Sequence, residues 1–299
     1  MNTAGSTPAP RVIPVPASTK IGPRLFEWGT RTFVMGIVNV TPDSFSGDGL
    51  LAGVAGRHGA AVGSAVIQAR QMVAEGADIL DVGGESTRPG HEEVPEAEEA
   101  ARVVPAIAAI RAALPDVPIS VDTAKPVVAA AAIAAGATLL NDVWGVSADD
   151  AMVRLAAARG VPIVLMHNRM DVHYADFWAE VMADLRAAVD RALAAGVPPR
   201  NIIVDPGFGF GKTPEYNLEL MRRLAGLKEL GRPVLLGTSR KSTIGRVLGG
   251  VPPEERLEGT LATTALGIVA GVDIIRVHDV LANKRVALVA DAICRGAPA

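Results

Sequence analysis

The stretch Ile202-Ile203-Val204-Asp205-Pro206-Gly207 decides the fold, because it is an apolar run that stops on a carboxylate and the chain repeats this form. A helix-patterned stretch separates each such run from the next. The runs span residues 33–40, 78–84, 118–123, 139–143, 162–167, 202–207, 233–240 and 274–279. Strands that alternate with helices are typical of repeated βαβ units and a parallel sheet. Eight units in 299 residues predict a single (β/α)8 or TIM barrel, in which ligands bind where the strands end.

Helices are predicted between the strands, with capping signals at several of their ends. The predicted ranges are 64–75, 96–113, 125–135, 149–159, 176–196, 214–230, 258–271 and 280–294. Thr213-Pro214 provides an N-cap followed by an early proline, and Gly136 and Gly160 follow helix ends. The connection over residues 41–63 is long for a loop between strand and helix, and loops of this length are usually functional.

Polar groups at the strand ends are candidates for an active site. The carboxyl ends of the strands in a barrel meet at one rim, so these groups are expected to lie close together. They are Asn39, Gly84-Glu85-Ser86-Thr87-Arg88, Asp122, Asn141-Asp142, His167, Asp205, Ser239-Arg240-Lys241-Ser242, and Arg276 with His278.

The composition indicates one globular domain and favours a small-molecule ligand over nucleic acid or a membrane. Hydrophobic residues make up 49% and charged residues 20% of the chain, which fits one globular domain with a large core. A net charge of -3 and a pI near 6.0 give no electrostatic drive toward nucleic acid, and no stretch is predicted to span a membrane. Cys294 is the one cysteine, so a disulfide framework or a cysteine zinc site is excluded and a cytoplasmic location is expected.

The chain is predicted to consist of a flexible tail and one barrel domain. Residues 1–24 are rich in proline, serine, threonine and alanine and lack the apolar run of a secretory signal. Residues 25–32 predict a short hairpin that leads into the first strand and closes the barrel bottom. The barrel domain is therefore placed at residues 25–299.

Two glycine motifs suggest nucleotide binding, but neither occurs in the sequence context that such binding requires. Gly211-Lys212-Thr213 resembles the end of a phosphate-binding loop, but Pro206 stands where that loop requires a glycine. Residues 47–52 fit the dinucleotide pattern, yet they begin several residues after a strand ends. Nucleotide triphosphate hydrolysis and dinucleotide binding are therefore disfavoured.

Hydrogen-bond acceptors cluster at the ends of the third, fourth and sixth strands, as Asp122, Asn141 and Asp205. One such aspartate alone can simply cap the next helix. Acceptors that converge from separate strands are costly to bury unless a ligand satisfies them. Two carboxylates and an amide carbonyl suit a flat heterocycle rich in N–H groups, such as a 2-amino-4-oxo pteridine or guanine ring. Phe208 and Phe210 are predicted to supply an apolar wall.

Cationic groups gather at the ends of the seventh and eighth strands, where barrels often bind phosphate. Lys241 precedes a short predicted helix at 243–248, whose free N–H groups attract an anion. Arg276 and His278 point the same way because they lie two apart on a strand. Taken alone, Arg276 could instead form an internal salt bridge, and His278 could be a core histidine whose hydrogen bonds are satisfied within the protein. Together they favour a polyphosphate site, with Asn39 helping to hold a shared Mg²⁺ ion.

These motifs together resemble the dihydropteroate synthase family. Residues 35–46 and 83–90 look like its two signature segments. The other matching segments are Ser120-Val121-Asp122-Thr123, Asn141-Asp142-Val143, residues 205–212, Ser239-Arg240-Lys241-Ser242 and Arg276-Val277-His278-Asp279. They occur in the family's order, nearly one per strand. Residues 46–50 and Met166-His167-Asn168-Arg169 depart from the family pattern.

The resemblance implies a condensation of 6-hydroxymethyl-7,8-dihydropterin diphosphate with p-aminobenzoate, by SN1-like loss of diphosphate, in an Mg²⁺-dependent homodimer that sulfonamides inhibit. The implied pterin contacts, of which Asp122, Asp205 and Lys241 are also catalytic, are Asp122, Asn141, Asp205, Phe210 and Lys241. The implied diphosphate contacts are Thr87, Arg276 and His278, with Asn39 at the metal. The implied p-aminobenzoate slot consists of Phe45, Arg88, Pro89, Lys241 and Ser242.

Two other functions share part of this pattern. A pterin-binding methyltransferase that serves a corrinoid protein would use the same acceptors but would need no diphosphate site. A non-catalytic paralogue would be expected to lack one of Asn39, Lys241, Arg276 and His278, and all of these are present. The synthase is therefore the preferred prediction.

Overall fold

The computed structural model describes residues 17–40, 54–85, 94–147 and 149–296, with the backbone alone for 54–60. The strands are β1 (Ser18–Ile21), β2 (Arg24–Glu27), β3 (Phe33–Asn39), β4 (Ile79–Gly83), β5 (Ile119–Asp122), β6 (Leu139–Asp142), β7 (Ile163–Met166), β8 (Ile202–Asp205), β9 (Leu235–Leu236) and β10 (Ile274–Val277). The α-helices are α1 (Val54–Ala74), α2 (Glu96–Ala113), α3 (Pro126–Ala135), α4 (Ala151–Arg159), α5 (Phe177–Ala194), α6 (Pro214–Arg223), α7 (Ser242–Val247), α8 (Leu257–Val269) and α9 (Val280–Arg295). Short 3₁₀ helices span Pro199–Asn201, Leu224–Leu230 and Pro253–Glu255.

Eight parallel strands form the barrel in the order β8-β7-β6-β5-β4-β3-β10-β9. A bridge between Val204 and Val234 brings the two outer strands of this order together and closes the ring. Helices alternate with these strands along the chain. The predicted (β/α)8 barrel is therefore confirmed.

The alternation of side chains along the strands separates two cores. One buried cluster fills the lower barrel interior and consists of Ile21, Phe26, Trp28, Phe33, Met35, Ile79, Leu139, Val164, Ile203, Leu235 and Ile274. A larger cluster lies between the strands and the helices and includes Val34, Leu80 and Val204. Strand residues two positions beyond members of the first cluster face the interior as well. This register decides which polar residues reach the barrel mouth.

A hairpin of β1 and β2 closes the bottom of the barrel. Phe26 and Trp28 pack on Phe33 with ring centroids 4.7 and 5.5 Å apart, and Trp28 Nε1 donates to Thr19 Oγ1 at 2.8 Å. Full burial of one large apolar side chain contributes roughly 1.5–3 kcal/mol. The predicted closure is confirmed, but the predicted bounds of the hairpin are wrong, because its first strand begins within the segment predicted as a tail.

Helix α1 and strand β9 differ from their predicted extents. Helix α1 begins at Val54 rather than at residue 64. Each glycine in it costs only about 1 kcal/mol of helix stability relative to alanine, and the alanines around the glycines favour the helix, so the helix continues through them. The first part of the predicted long loop is residues 41–53, which lie outside the described residues. Strand β9 is short because the chain turns soon after it, with Lys241 N donating to the Thr238 carbonyl at 3.1 Å.

The predicted capping signals are present at several helices. Thr213 Oγ1 accepts from Tyr216 N at 3.3 Å at the start of α6. Gly136 and Gly160 follow α3 and α4 with φ of 118° and 65°, a region that favours glycine because it has no Cβ. Within the described part of the chain, no helix combines the length and apolar character needed to cross a membrane.

Candidate active site

Polar side chains at the carboxyl ends of the strands face the barrel interior together. The register pairs Asn39 with Gly83, and Gly83 with Asp122. It then pairs Asp122 with Asn141, so these residues form one row across neighbouring strands. Gly83 adds no side chain to the row and leaves the space beside Asp122 open. The predicted site residues that face the interior are Asn39, Asp122, Asn141, Asp205, Arg276 and His278.

Arg276 binds two buried carboxylates inside the barrel. Its Nε donates to Asp81 Oδ2 at 2.5 Å and its Nη2 donates to Asp122 Oδ2 at 2.6 Å. Asn141 Nδ2 donates to the same Asp81 oxygen at 3.1 Å. Burial opposes the charge of Arg276, but the two carboxylates raise its pKa above the usual value. The internal salt bridge is therefore present, and the cationic and acidic groups meet in the mouth instead of occupying separate parts of the rim.

Several interior oxygens have no hydrogen-bond partner among the described residues. They are Asp81 Oδ1, Ser120 Oγ and Asp122 Oδ1. Burial raises the pKa of Asp122 to about 7, although Arg276 opposes this shift. Buried polar atoms in proteins are normally satisfied by protein or water. These oxygens are therefore positions at which a ligand or water can donate.

Asp205 and Lys241 bring opposite charges to a neighbouring part of the mouth. Asp205 Oδ1 accepts from Gly207 N at 2.7 Å, and burial raises the pKa of this carboxyl while Lys241 opposes the shift. Burial lowers the pKa of Lys241 to about 7, and Asp205 opposes that shift. Lys241 Nζ donates to the Phe208 carbonyl and lies 3.9 Å from the centre of the Phe210 ring. The lysine is thus held over an aromatic face beside a carboxylate.

Phe208 and His167 do not face the mouth. Phe208 belongs to the core between the strands and the helices and is 1% exposed, so its predicted role as a wall is wrong. His167 follows interior-facing Met166 and points toward α5, where its Nε2 lies 3.2 Å from Asp184 Oδ2. Burial lowers the pKa of His167 to about 2 and keeps the ring neutral. The prediction that His167 lies at the rim is wrong, because successive residues of a strand face opposite sides of the sheet and His167 directly follows interior-facing Met166.

The segment before α7 contains a strained residue. Arg240 has a φ of 58°, a left-handed conformation that costs a non-glycine residue about 1–2 kcal/mol. Its Nε and Nη2 donate to Asp279 Oδ2 and Oδ1 at 3.0 and 2.6 Å. Ser239 Oγ lies 3.0 Å from His278 Nδ1 and accepts from His278 N at 3.1 Å. These contacts join the segment that carries Lys241 to the end of β10.

Part of the predicted site lies outside the described residues, namely Phe45, Thr87, Arg88 and Pro89. Their roles therefore stay predictions. The described residues on either side of 86–93 are held together by Lys125, whose Nζ donates to Glu85 Oε2 at 2.6 Å and to the Val94 carbonyl at 2.8 Å. The same lysine donates to buried Glu99 Oε2 at 2.8 Å.

Asn39, the predicted magnesium ligand, ends β3 and is half-buried at the interior face. Mg²⁺ prefers oxygen ligands and keeps several waters, so one amide oxygen fits an ion that is shared with substrate phosphates. Over residues 17–40, 54–85, 94–147 and 149–296, no group of three or more histidine, cysteine, aspartate or glutamate side chains is placed to hold a metal. Asn39 as a single protein ligand therefore fits an ion that is shared with a substrate better than a metal site formed by protein side chains alone.

Asp81, Lys212 and Asn217 support the site but were not identified from the sequence. Asp81 is a carboxylate inside an otherwise apolar strand, and period-two alternation places it on the interior face, so the signal was present. Lys212 lies in the rejected phosphate-loop motif and at the end of the matching segment 205–212, but neither pattern assigns it a role. Asn217 Oδ1 accepts from Gly209 N at 2.7 Å and its Nδ2 donates to Thr243 Oγ1 at 2.9 Å, contacts that no local motif predicts.

The chain is similar in sequence to known proteins over most of its length. A family model described as pterin binding enzyme matches residues 35–278. The chain is 51% identical to a dihydropteroate synthase of Clostridium beijerinckii over 277 residues, which cover 92% of this chain and 99% of the relative. It is also 51% identical to a dihydropteroate synthase of Bacillus subtilis over 271 residues, covering 91% of this chain and 92% of the relative.

Solved structures of similar proteins have the same fold. Clostridium difficile dihydropteroate synthase in the presence of pteroic acid gives a TM-score of 0.84 at 47% identity, covering 90% of this chain and 99% of that chain. The Xanthomonas albilineans protein with 4-aminobenzoic acid gives 0.86 at 42% identity, covering 94% and 99%. The same protein in complex with 7,8-dihydropteroate gives 0.83 at 40% identity, covering 94% and 100%.

Proposed function

The chain belongs to the dihydropteroate synthase family, and we propose that it condenses 6-hydroxymethyl-7,8-dihydropterin diphosphate with p-aminobenzoate, releasing diphosphate and 7,8-dihydropteroate. The observation that carries the proposal is the convergence of acidic, basic and amide side chains on one barrel mouth. These side chains are Asp122, Asn141, Asp205, Lys241 and Arg276.

The acceptors of the mouth suit the N–H groups of a pterin ring. Asp122 Oδ1 is buried without a partner among the described residues, and Asp205 offers a second carboxylate. Asn141 donates its Nδ2 to Asp81, which leaves its Oδ1 to accept from the ring. Hydrogen bonds to ionised acceptors are about twice as strong as neutral ones. Lys241 and the Phe210 ring would then contact the pterin from the side.

Arg276 links the two halves of the substrate. A diphosphate that approaches the guanidinium competes with Asp122 for Nη2, which now donates to the carboxylate at 2.6 Å. The released carboxylate can then accept from the pterin. His278 and Thr87 are proposed to complete the diphosphate site, with Asn39 holding Mg²⁺. The ion would neutralise part of the phosphate charge.

The reaction is proposed to begin with departure of diphosphate. The bond between the pterin methylene carbon and the phosphate oxygen breaks, and diphosphate takes the electron pair. Asp122 and Asp205 stabilise the positive charge that spreads over the ring, while Arg276 and His278 stabilise the leaving anion. The amine of p-aminobenzoate then forms the C–N bond and loses a proton to diphosphate or water. Because an aromatic amine is already nucleophilic, it needs positioning more than a strong base.

The p-aminobenzoate slot is proposed to lie between the loops of the mouth. Phe45, Arg88 and Pro89 would form its walls, and the substrate carboxylate would contact the backbone N–H at Ser242, where α7 begins. Sulfonamides, which imitate p-aminobenzoate, are expected to compete for this slot. Failure of a sulfonamide to compete would contradict the slot and leave the pterin site untouched.

The direct test supplies purified protein with both substrates and Mg²⁺. Diphosphate release that requires p-aminobenzoate, with formation of 7,8-dihydropteroate, is the expected result. Release at the same rate without p-aminobenzoate, or no release with it, would contradict the proposed function.

Assembly and location are also proposed. Helices α8 and α9 expose large apolar side chains, at Leu266, Val269, Leu281, Leu288, Val289 and Ile293. Contiguous exposed apolar residues mark protein contact surfaces, so we propose a homodimer through these helices. Sedimentation of the wild type as a monomer would contradict it, and Ile293→Glu is expected to weaken a dimer. A cytoplasmic location stays a prediction.

A further inference from the structure

Lys212 is a buried lysine whose ammonium group is enclosed by acceptors of the loop after β8. The residue is 9% exposed, and its Nζ lies 2.8 Å from His167 Nδ1. It also donates to the carbonyls of His167, Gly207 and Phe210 at 3.3, 3.0 and 2.9 Å. A buried ammonium group is tolerated when it is hydrogen-bonded in this way. The loop over residues 206–211 is therefore wrapped around the Lys212 ammonium group, although burial lowers its pKa to about 7.

His167 holds this cation from the helix side of the barrel. Its neutral ring accepts from Lys212 at Nδ1, so the network assigns the ring proton to Nε2, which faces Asp184 Oδ2 at 3.2 Å. Asp184 Oδ2 also accepts from Arg169 Nε at 2.8 Å. The Lys212 ammonium group is thus held on the helix side by His167, Asp184 and Arg169, none of which is a proposed substrate contact.

Glycines allow the loop to pass between two lysine side chains. Gly207 and Gly209 have φ of 67° and 84°. A Cβ at Gly207 would lie 1.9 Å from the His167 carbonyl oxygen, on the Lys212 side of the loop. A Cβ at Gly209 would lie 2.7 Å from Lys241 Cδ, on the other side.

Phe210 makes contact with both lysines. Its carbonyl accepts from Lys212, and its ring lies under the ammonium group of Lys241. Lys241 also donates to the carbonyl of Phe208, which lies between the carbonyls that Lys212 binds. A displacement of the loop would therefore change the position of Lys241 as well.

We propose that Lys212 is a positioning residue for the reaction, which acts through the loop over residues 206–211 to place Lys241 at the pterin site. The inference rests on the proposed function, because Lys241 is assigned there to the pterin. Without Lys212, the carbonyls of Gly207 and Phe210 lose their buried donor and the loop relaxes. Lys241 then loses both a hydrogen-bond acceptor and the aromatic face beneath it.

A double-mutant cycle tests this inference. Lys212→Met, Lys241→Met and the double variant are titrated by calorimetry with 6-hydroxymethyl-7,8-dihydropterin diphosphate. Lys212→Met is expected to weaken binding about tenfold when Lys241 is present, a coupling in the range measured for residues in one network. It is expected to cause no further loss in the Lys241→Met background. Equal losses in both backgrounds would overturn the inference, because a purely structural role does not depend on Lys241.

Tyr174→Phe is the matched control. Tyr174 Oη donates to the Gly211 carbonyl at 2.7 Å, so this variant removes a hydrogen bond to the same loop without touching either lysine. It is expected to lower the thermal midpoint slightly and to leave pterin diphosphate affinity unchanged in both backgrounds. A loss as large as that of Lys212→Met would mean that any loosening of the loop suffices, which would contradict a specific role for Lys212.

Lys212→Gln provides a second cycle if the methionine variant does not fold, as judged by circular dichroism. Glutamine keeps an N–H donor for the loop carbonyls but carries no charge, so a smaller coupling of the same sign is expected, and additive losses would overturn the inference. If the wild-type protein binds no pterin diphosphate, the proposed function fails. Normal wild-type binding with additive variants contradicts only the assignment of Lys212.

Discussion

The two ends of the barrel are both buried, but they are filled with opposite kinds of side chain. At the bottom, Phe26 and Phe33 pack in an apolar cluster that the hairpin closes. At the mouth, Asp81, Asp122 and Arg276 are enclosed in the same barrel. Apolar burial stabilises the fold, whereas a buried ion pair contributes little net stability even when well formed. The difference indicates that the bottom maintains the barrel and the mouth serves a ligand.

An arginine–aspartate pair at each end makes the comparison sharper. At the bottom, Arg31 donates to both oxygens of Asp78 at 2.7 and 3.0 Å, with 43% of the arginine side chain exposed. At the mouth, the Arg276 side chain is 18% exposed and its carboxylate partners are almost completely buried. The Asp78 side chain is itself only 11% exposed, but Lys284 Nζ lies 3.7 Å from it, so loss of Arg31 does not leave this carboxylate without a cation. Removal of one partner from a buried pair costs about 3–5 kcal/mol.

The largest effect is expected for Arg276→Ala. It should lower kcat/KM about 10³-fold, because the developing charge on diphosphate loses a fixed donor. It should also lower the free energy of unfolding by about 3–5 kcal/mol, because Asp81 and Asp122 lose their cation. Steady-state kinetics and denaturant unfolding measure the two effects. Arg31→Ala is the matched control; its loss of stability should be smaller, because the Arg31 side chain is 43% exposed and Lys284 Nζ remains 3.7 Å from Asp78 Oδ2, and its kcat/KM should be unchanged. Equal losses of stability and of kcat/KM for the two arginines would contradict the contrast between the two ends.

Phe26→Ala tests the other end. Truncation of this buried aromatic should lower the free energy of unfolding by about 3–5 kcal/mol, since it leaves a cavity at the barrel bottom. At a temperature where the variant stays folded, kcat/KM should equal that of the wild type. Phe26→Leu, which fills part of the cavity, should lose less stability. A fall in kcat/KM with the fold intact would show that the bottom also shapes the mouth.

Asp205→Asn sharpens the assignment of the pterin acceptors. The variant keeps an oxygen for the backbone N–H of Gly207, so the fold should remain intact. Loss of the charge should weaken pterin binding by about 2 kcal/mol, in the range for hydrogen bonds to charged groups. Calorimetry with the pterin diphosphate measures this loss. Unchanged affinity would remove Asp205 from the pterin site.

The pH dependence of pterin affinity should distinguish the buried charges of the mouth. Burial raises the pKa of Asp122 to about 7, with Arg276 opposing the shift and Asp81 and Glu99 adding to it, so its carboxylate charge is lost as pH falls below that value. Burial lowers the pKa of Lys241 to about 7, with Asp205 and Asp122 opposing the shift, so its charge is lost as pH rises above that value. Affinity should therefore be greatest near neutral pH and fall at most about tenfold per pH unit on each side.

Two variants identify the limbs of this profile. Asp122→Asn should weaken the acidic limb, to which Asp205 also contributes because burial raises its pKa, and Lys241→Met should abolish the alkaline limb. Isothermal calorimetry from pH 5 to 9 provides the measurement. A profile that both variants leave unchanged would mean that other groups control pterin affinity.

The architecture of the barrel could be predicted from the sequence because it depends on local patterns. The apolar runs and the glycines after helices, such as Gly136 and Gly160, mark elements that the structure confirms. The start of α1 and the short β9 could not be predicted, because glycine-containing helices and early turns depend on tertiary contacts. The start of the hairpin at Ser18 could not be predicted, because the alternation of apolar and polar residues in Ser18-Thr19-Lys20-Ile21 is too short to be distinctive.

The candidate site could be predicted in part, for a different reason. Strand-end positions identified Asp122, Asn141 and Asp205 because alternation places them on the interior face. The ion pair between Arg276 and Asp122 could not be predicted, since it joins residues far apart in the chain. The contacts of Lys212 could not be predicted for a similar reason, because its acceptors belong to a folded loop that no local pattern describes.

A crystal structure of the protein with the pterin diphosphate would show directly whether Arg276 exchanges Asp122 for the phosphates at the barrel mouth. The phosphates are expected to bind Arg276 and His278 at the end of β10, beside the end of β9, with Arg276 Nη2 released from Asp122 and the ring donating to Asp122 and Asp205. Phosphates located away from these strand ends, with the bond between Arg276 and Asp122 intact, would contradict this exchange.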